Sequence, residues 1–385
     1  MKIDPYKHKE RYFAWKDEIR ELGCIEGISK VNSNLIIRYV FDMEMGINVS
    51  SLSTKGARGY PRLNNLRQRM IFLTKKFEEI YHKDDLGDLT EEETITFFTK
   101  MRNGEIKKLK GGAYKSVTDF VKVFKAFWHW YVKIKQKEKI EVIDITRDLD
   151  SSKSKPKWVY LTEDQVKLLV DNAKYEYKVL IWFLLDTGIR SPTELINIKV
   201  RDLHNDFKEL NIRDEVSKTF GRRIKLMLCS KQIKEYVNRK ELSTDDYLFP
   251  LNPSKTNEYL KRLAKRILGE DESPAGDKYS QLTMYDFRHI SCCYWLPRYK
   301  SESALKYRFG WKKSDKIHYY SELLGMRDTI NEEDMLIDLT KIELERKLDA
   351  TEKNNIILQE RINKMESQMK EILKNINQEI VVIGN

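Results

Sequence analysis

The stretch SVTDFVKVFKAFWHWYVKI, residues 116–134, limits the possible folds more than any other part of this chain. Val117, Phe120, Val121, Phe124, Phe127, Trp128 and Tyr131 recur at three- and four-residue spacing, the repeat of one face of an α-helix. The face is too broad and too aromatic to be left in water, so other helices must cover it, and the stripe reads as core. Candidates lie upstream. NSNLIIRYVFDME carries an N-cap signal at Asn32 or Ser33 and apolar residues at helical spacing. PRLNNLRQRMIFLTKKFEEIY puts Leu66, Ile71, Leu73 and Phe77 on one side, and LTEEETITFFTKM opens with Thr90 and Glu93 as a capping box. The first 140 or so residues are therefore expected to be all helical.

A hinge follows in DITRDLDSSKSKPKW, residues 144–158, where Ser, Lys and Asp cluster with a single Pro156. Beyond it Thr162 caps a new helix, and YEYKVLIWFLLDTG reads as a buried helix that stops at Gly188. ELNIRDEV and RRIKLMLC read as two short strands joined through SKTFG. KTNEYLKRLAKRIL and TMYDFRHISCCYWL are helical again. The fold class expected is mainly α with a small antiparallel sheet, in at least two domains.

From about residue 340 the pattern changes. Leu348, Asn355, Ile362, Met369 and Ile376 recur every seven residues, and Leu344, Thr351, Leu358, Met365 and Ile372 repeat them at an offset. This is a coiled-coil signature, with Asn355 as a polar core residue of the kind that fixes register in a two-stranded coil. One long helix folded back on the body is the other reading. The divisions expected are a helical arm over 1–60, a helical domain over 61–143, a linker over 144–158, a second domain over 159–338, a coil over 339–377 and a tail over 378–385.

Charge narrows the partner. Lys and Arg number 71 against 60 Asp and Glu, a net +11 spread over several clusters. Positive charge distributed over a folded chain suits a polyanion such as DNA, and a lysine-rich composition would look the same. The four cysteines show no metal-ligand spacing, and Cys292 and Cys293, among aromatic residues, read as buried. The start of the chain has no apolar signal region, and the longest apolar run, VLIWFLL, is too short to span a bilayer, so no membrane association and a cytoplasmic location are expected. The acidic clusters DDLGD and GEDES are turn-like, and neither a metal nor another cofactor is expected.

Three cations stand in suggestive settings: Arg190 just past a helix end in LLDTGIRSPTEL, Lys218 in the strand turn, and Arg288 in LTMYDFRHI beside Tyr285 and His289. Taken singly, Arg190 pairing with Glu194, a solvated Lys218 and an Arg288 capping its helix are ordinary explanations. Further on, KIHYYSELLG holds adjacent tyrosines, 319 and 320, that serve either as packing or as a nucleophile.

In this order, TGIRSPTEL with IKVRDL, SKTFGRRIKL, DYLFPLNPSKTNEYLKRLAKR, LTMYDFRHISCC and FGWKKSDKIHYYSELLG resemble the tyrosine recombinase (phage integrase) family, archaeal integrases in particular. The resemblance runs from about residue 60 to 335. It implies that 61–143 is a helical core-binding domain and 159–338 the catalytic domain. It implies Arg190, Lys218, Tyr285, Arg288, Trp311 and Tyr320 as the catalytic set. Tyr320 is the implied nucleophile because YSELLG follows the family pattern from there, whereas Tyr319 would be one residue out of frame. His318 is expected to be a DNA or structural contact. Tyr285 stands where many relatives have His, Trp311 is an accepted His/Trp variant, and Glu194 falls one place later than in many relatives.

The activity implied is site-specific strand cleavage and rejoining through a 3′-phosphotyrosine, without metal or ATP. The implied partners are a double-stranded DNA attachment site and further copies of the chain, as a dimer through the coil and a tetramer in the synapse. Integration or excision of a mobile element fits the long front arm and the coil better than does Xer-type multimer resolution. A type IB topoisomerase-like enzyme and a non-catalytic DNA-binding oligomer are the rival readings.

Overall fold

A computed structural model of the protein describes residues 2–49, 55–108, 111–114, 116–152, 156–299, 301–324, 351–352 and 354–369. The chain divides into two compact units, residues 1–315 and 316–385.

Five helices build the front of the first unit: α1 (His8–Leu22), α2 (Lys30–Met45), α3 (Tyr60–Tyr81), α4 (Glu91–Arg102) and α5 (Val117–Lys137). The aromatic stripe of α5 is core, and it is wider than expected, since Val123, Trp130 and Ile134 are buried too. Phe77 of α3 packs on Phe97 of α4 with ring centroids 4.6 Å apart, and on Phe124 of α5 at 5.6 Å. The indole N–H groups do not go unsatisfied: Trp130 donates to Asp42 at 2.8 Å and Trp128 to the Ile143 carbonyl at 3.0 Å. Tyr12, Trp15, Ile36 and Tyr39 join this same core, so α1 and α2 are part of it.

The capping box at Thr90 and Glu93 forms as read, and so does the cap at Thr162, completed by Gln165. The cap of α2 does not. Its N-cap is Ser29, whose hydroxyl accepts from the Asn32 backbone N–H. Asn32 and Ser33 lie inside the helix and are buried. Their polar groups work at long range: Asn32 accepts from the Leu86 N–H at 2.7 Å, and Ser33 from the Ile25 N–H at 2.7 Å.

The rear of the first unit holds α6 (Glu163–Asp171), α7 (Tyr175–Thr187), α8 (Ser230–Arg239), α9 (Pro253–Leu268), α10 (Asp286–Trp295) and α11 (Glu302–Phe309). Its sheet is antiparallel in the order β1 (Leu203–His204), β2 (Glu209–Ile212) and β3 (Arg222–Lys225). The expected strands are longer than the observed ones. RDEV leaves the sheet in a helical turn, with Ser217 N–H donating to the Arg213 carbonyl at 3.0 Å, so the connection runs from 213 to 221. Asp214 holds its far end by accepting from Gly221 N–H at 2.6 Å. In β3, Arg222 and Ile224 face inward while Arg223 and Lys225 face out.

A side-chain clasp joins the start of the chain to this rear half. Ile3 N–H donates to the Asn197 side-chain oxygen at 2.6 Å, and the Asn197 amide donates back to the Ile3 carbonyl at 2.9 Å. No described helix is long and apolar enough to cross a membrane.

The second unit contains nearly all of α12 (Asp315–Leu323) and a helical stretch over 354–369. The heptad residues Leu358, Ile362, Met365 and Met369 are exposed along that stretch. The rest of the expected coil and the tail, apart from Thr351 and Glu352, lie outside the described residues.

Candidate active site

The site grows from the end of α7. That helix is apolar almost throughout and is clamped by α6, α8 and α10. It stops at Gly188, whose φ of 55° is the left-handed conformation that glycine adopts without strain. No side chain fits there in any case, because a Cβ would lie 2.2 Å from the Phe309 ring. Three residues later the chain turns through a cis Ser191–Pro192 bond, and Glu194 N–H donates back to the Arg190 carbonyl at 2.8 Å. This turn brings Arg190 and Glu194 together, with Nη1 and Oε1 2.5 Å apart. The ion pair considered from sequence therefore exists, and the Glu194 side chain is fully buried.

A second guanidinium approaches from the sheet. Arg222 points inward from β3, is completely buried, and donates through Nη2 to Glu194 Oε2 at 2.9 Å and through Nη1 to Oε1 at 3.4 Å. Its Nε donates to the Arg308 carbonyl on α11 at 2.8 Å. Nothing in the sequence pattern marked this residue beyond its alternation with Ile224, which would ordinarily call for an apolar side chain.

The third guanidinium is on α10. Thr283 and Asp286 fix the start of that helix, Asp286 accepting from the Thr283 N–H at 2.8 Å and from the Val159 N–H at 3.2 Å. One turn in, Arg288 is buried and donates to the carbonyls of Gly188 and Phe309. Arg190 donates to the next carbonyl along, Gly310, at 2.7 Å, and Thr219 shares that acceptor at 2.9 Å. Gly310 ends α11 with φ 61°. Two successive carbonyls thus hold the two arginines named from sequence. Trp311 follows directly, its ring stacked on Phe309 at 4.8 Å and 5.7 Å from the Arg288 guanidinium carbon.

The electrostatics follow from one carboxylate among three guanidiniums. Burial pushes the Glu194 carboxyl up, but Arg222 and then Arg190 outweigh it and bring it to about 2. Burial and the like charges of Arg190 and Arg222 draw Arg288 down to about 10, against the pull of Glu194. Beneath them a second ion pair is enclosed, Arg308 with Asp186 at 2.7 Å. Asp186 also accepts from the N–H groups of Leu228 and Cys229, tying α11 to the chain after β3. Burial raises this carboxyl despite Arg308, and with Asp186 it raises the Cys229 thiol. The cysteines at 292 and 293 are buried as expected.

The remaining candidates fall as follows. Lys218 is exposed on the β2–β3 connection, next to Thr219, which bonds Arg190 at 3.3 Å. Tyr285 is 53% exposed and precedes Arg288 by one turn, its carbonyl accepting from the Arg288 N–H. Its ring stands edge-on to His289. In the second unit, α12 carries His318, Tyr319 and Tyr320 in succession. His318 is exposed, Tyr319 is partly buried and Tyr320 is 2% exposed, with the two tyrosine rings 5.3 Å apart. Sequence reasoning named Arg190, Arg288 and Trp311, which the fold brings together. It missed Arg222, Thr219 and the paired carbonyls of Phe309 and Gly310.

A buried cationic cluster with a reachable guanidinium is suited to holding a phosphate-like anion. Comparisons with known proteins bear on which anion. The profile of the phage integrase family matches residues 159–325. A search of curated protein sequences found no match. Among solved structures, the Tn1549 transposon integrase in complex with transposon right-end DNA is similar at a TM-score of 0.56 and 13% identity, over 83% of this chain and 99% of that one. A lambda integrase dimer bound to a COC′ core site gives 0.57 and 16%, over 77% and 79%. XerH recombinase bound to a palindromic difH substrate, in a post-cleavage complex, gives 0.52 and 14%, over 70% and 78%. At such identities the likeness is one of fold.

Proposed function

We propose, from the premise that this chain belongs to the phage integrase family of tyrosine recombinases through residues 159–325, that it is an integrase of a mobile element and that the arginine cluster is its catalytic centre. The observation that carries this is the charge of the cluster: Arg190, Arg222 and Arg288 are held around the single carboxylate of Glu194. Such a site is short of negative charge, and a backbone phosphate supplies it. The enclosure makes each donor stronger than it would be in water, and the carbonyls of Gly188, Phe309 and Gly310 fix the donors before substrate arrives.

In this mechanism Arg190 and Arg288 neutralise the nonbridging oxygens of the scissile phosphate. The Tyr320 phenol oxygen releases its proton to water and attacks phosphorus, forming a 3′-phosphotyrosine as the bond to the 5′ oxygen breaks. Lys218 gives that leaving oxygen its proton. Tyr285 and Trp311 add hydrogen bonds to the phosphate, although a phenol in place of an imidazole is a poorer base. The phosphotyrosine keeps the energy of the broken bond, so the 5′ hydroxyl of another strand completes the exchange without ATP.

Double-stranded DNA is the partner this requires, inside the cell and as an assembly of several copies. The exposed heptad stripe over 354–369 suits a two-stranded coil between copies. Multimer resolution by the same chemistry is the second reading, supported by the likeness to XerH.

The test is a nicked suicide duplex carrying the attachment sequence, incubated without magnesium. A denaturation-resistant adduct is expected, which Tyr320→Phe abolishes and Tyr319→Phe largely spares. Binding without an adduct would make the protein a non-catalytic DNA binder. An adduct with relaxed supercoils and no exchanged strands would make it a topoisomerase.

A further inference from the structure

We propose that Arg222 is a positioning residue: by forking onto both oxygens of Glu194 it stops that carboxylate from closing on both arms of Arg190, and so leaves Arg190 an open edge for phosphate. The inference rests on the recombinase reading for the identity of the anion, and it goes beyond that reading by assigning a role to a residue outside the catalytic set.

Arginine and a carboxylate left to themselves prefer a fork-to-fork pair with two parallel hydrogen bonds. Arg190 and Glu194, four residues apart on one turn and shielded from water, are well placed for it. They do not form it. Arg222 takes the fork instead, Nη2 on Oε2 at 2.9 Å and Nη1 on Oε1 at 3.4 Å, while Arg190 Nη1 reaches Oε1 alone. Ser217 donates to Oε1 at 3.3 Å and the Arg190 backbone N–H to Oε2 at 3.2 Å, so both oxygens are fully used. Thr219 and the Gly310 carbonyl take Arg190 Nη2. Among the described residues no partner takes Arg190 Nε. Arg190 is also the most accessible of the three guanidiniums, with its side chain 14% exposed and that of Arg222 at 0%.

Stability alone is a weak reason for Arg222. A fully buried ion pair loses hydration that an apolar side chain at this inward strand position would not have to give up. Its anchoring points the same way. Nε is tied to the Arg308 carbonyl, and a Cβ on Gly310 would lie 3.0 Å from Nη1. Arg222 therefore stands at a fixed distance from the two carbonyls that hold Arg190 and Arg288. Removing it releases both oxygens from that fork, and Glu194 then closes on Arg190 and draws it off the phosphate.

The test compares Arg222→Met with Arg222→Met/Glu194→Gln in single-turnover adduct formation on the suicide duplex, alongside duplex affinity and thermal melting. Arg222→Met is expected to slow the adduct about 100-fold, the scale of losing one preorganised transition-state donor, with affinity within about threefold. Adding Glu194→Gln removes the charge that captures Arg190 and is expected to restore at least about tenfold, a coupling opposite in sign to accumulating damage. Arg222→Lys keeps the charge without the fork. Its single ammonium holds one oxygen of Glu194, so it is expected to slow the adduct less than Arg222→Met, and it takes that variant's place, again with and without Glu194→Gln, should the methionine variant fail to fold.

A wild-type rate for Arg222→Met, or a double variant no faster than the single one, overturns the proposal. Stabilisation by inorganic phosphate provides a measurement independent of cleavage, expected in the wild type, reduced in the single variant and regained in the double. Phosphate stabilisation in this order without any adduct would sink the recombinase reading and uphold the restraint of Glu194 by Arg222. An adduct without this order of rates would do the reverse.

Discussion

Glu194 shows how much one side chain settles here. Its carboxyl ordinarily titrates near 4.5 and is held at about 2, so the ionised form is favoured by folding. The drop corresponds to about 3 kcal/mol of stability, present above pH 4.5 and lost as pH falls toward 2. Glu194→Gln never carries that charge. Its melting temperature should lie well below wild type at neutral pH, and the gap should close between pH 4.5 and 2; a gap constant across that range would mean the arginines do not depend on the carboxylate. The sequence made Arg190 and Glu194 legible because they are four residues apart. It could not show Arg222, since its partner is 28 positions away and its strand pattern asks for an apolar residue.

Elements were legible where their signals are local. The boxes at Thr90 and Thr162 depend on residues three apart, and both formed. Asn32 and Ser33 looked like caps and proved to be buried links to Leu86 and Ile25, partners no short window contains. The two-residue β1 has no periodicity to detect. The end of α7 was legible from Gly188, but its consequence was not: the carbonyl there holds Arg288, and the space beside its Cα is filled by Phe309. Gly188→Ala should cost about 2 kcal/mol or more from backbone strain and overpacking together. Urea denaturation should register this as a lower midpoint at an unchanged slope. A loss under about 0.5 kcal/mol would show that Phe309 moves aside freely.

Across the whole molecule, helical content and the small sheet were readable, because periodicity and composition are summed over long windows. The extent of the front core was less so: the aromatic faces of α1 and α2 gave no sign of sharing one interior with α5. The heptads past residue 340 make a prediction at this scale. Truncation after Asp338 should lower the solution mass to that of a single chain, measured by light scattering without DNA; an unchanged mass would reject a coil between copies.

The clasp between Ile3 and Asn197 has a mechanical side. Besides the chain leading into Trp158, the described residues join the helical front to the arginine-bearing half by the two Ile3–Asn197 bonds and by Lys2 donating to the Val216 carbonyl at 3.0 Å. Parting the two halves must undo that latch, which at about 1 kcal/mol per bond is weak beside the electrostatic work of gripping a duplex. A ligand entering between these halves would work against only those few bonds.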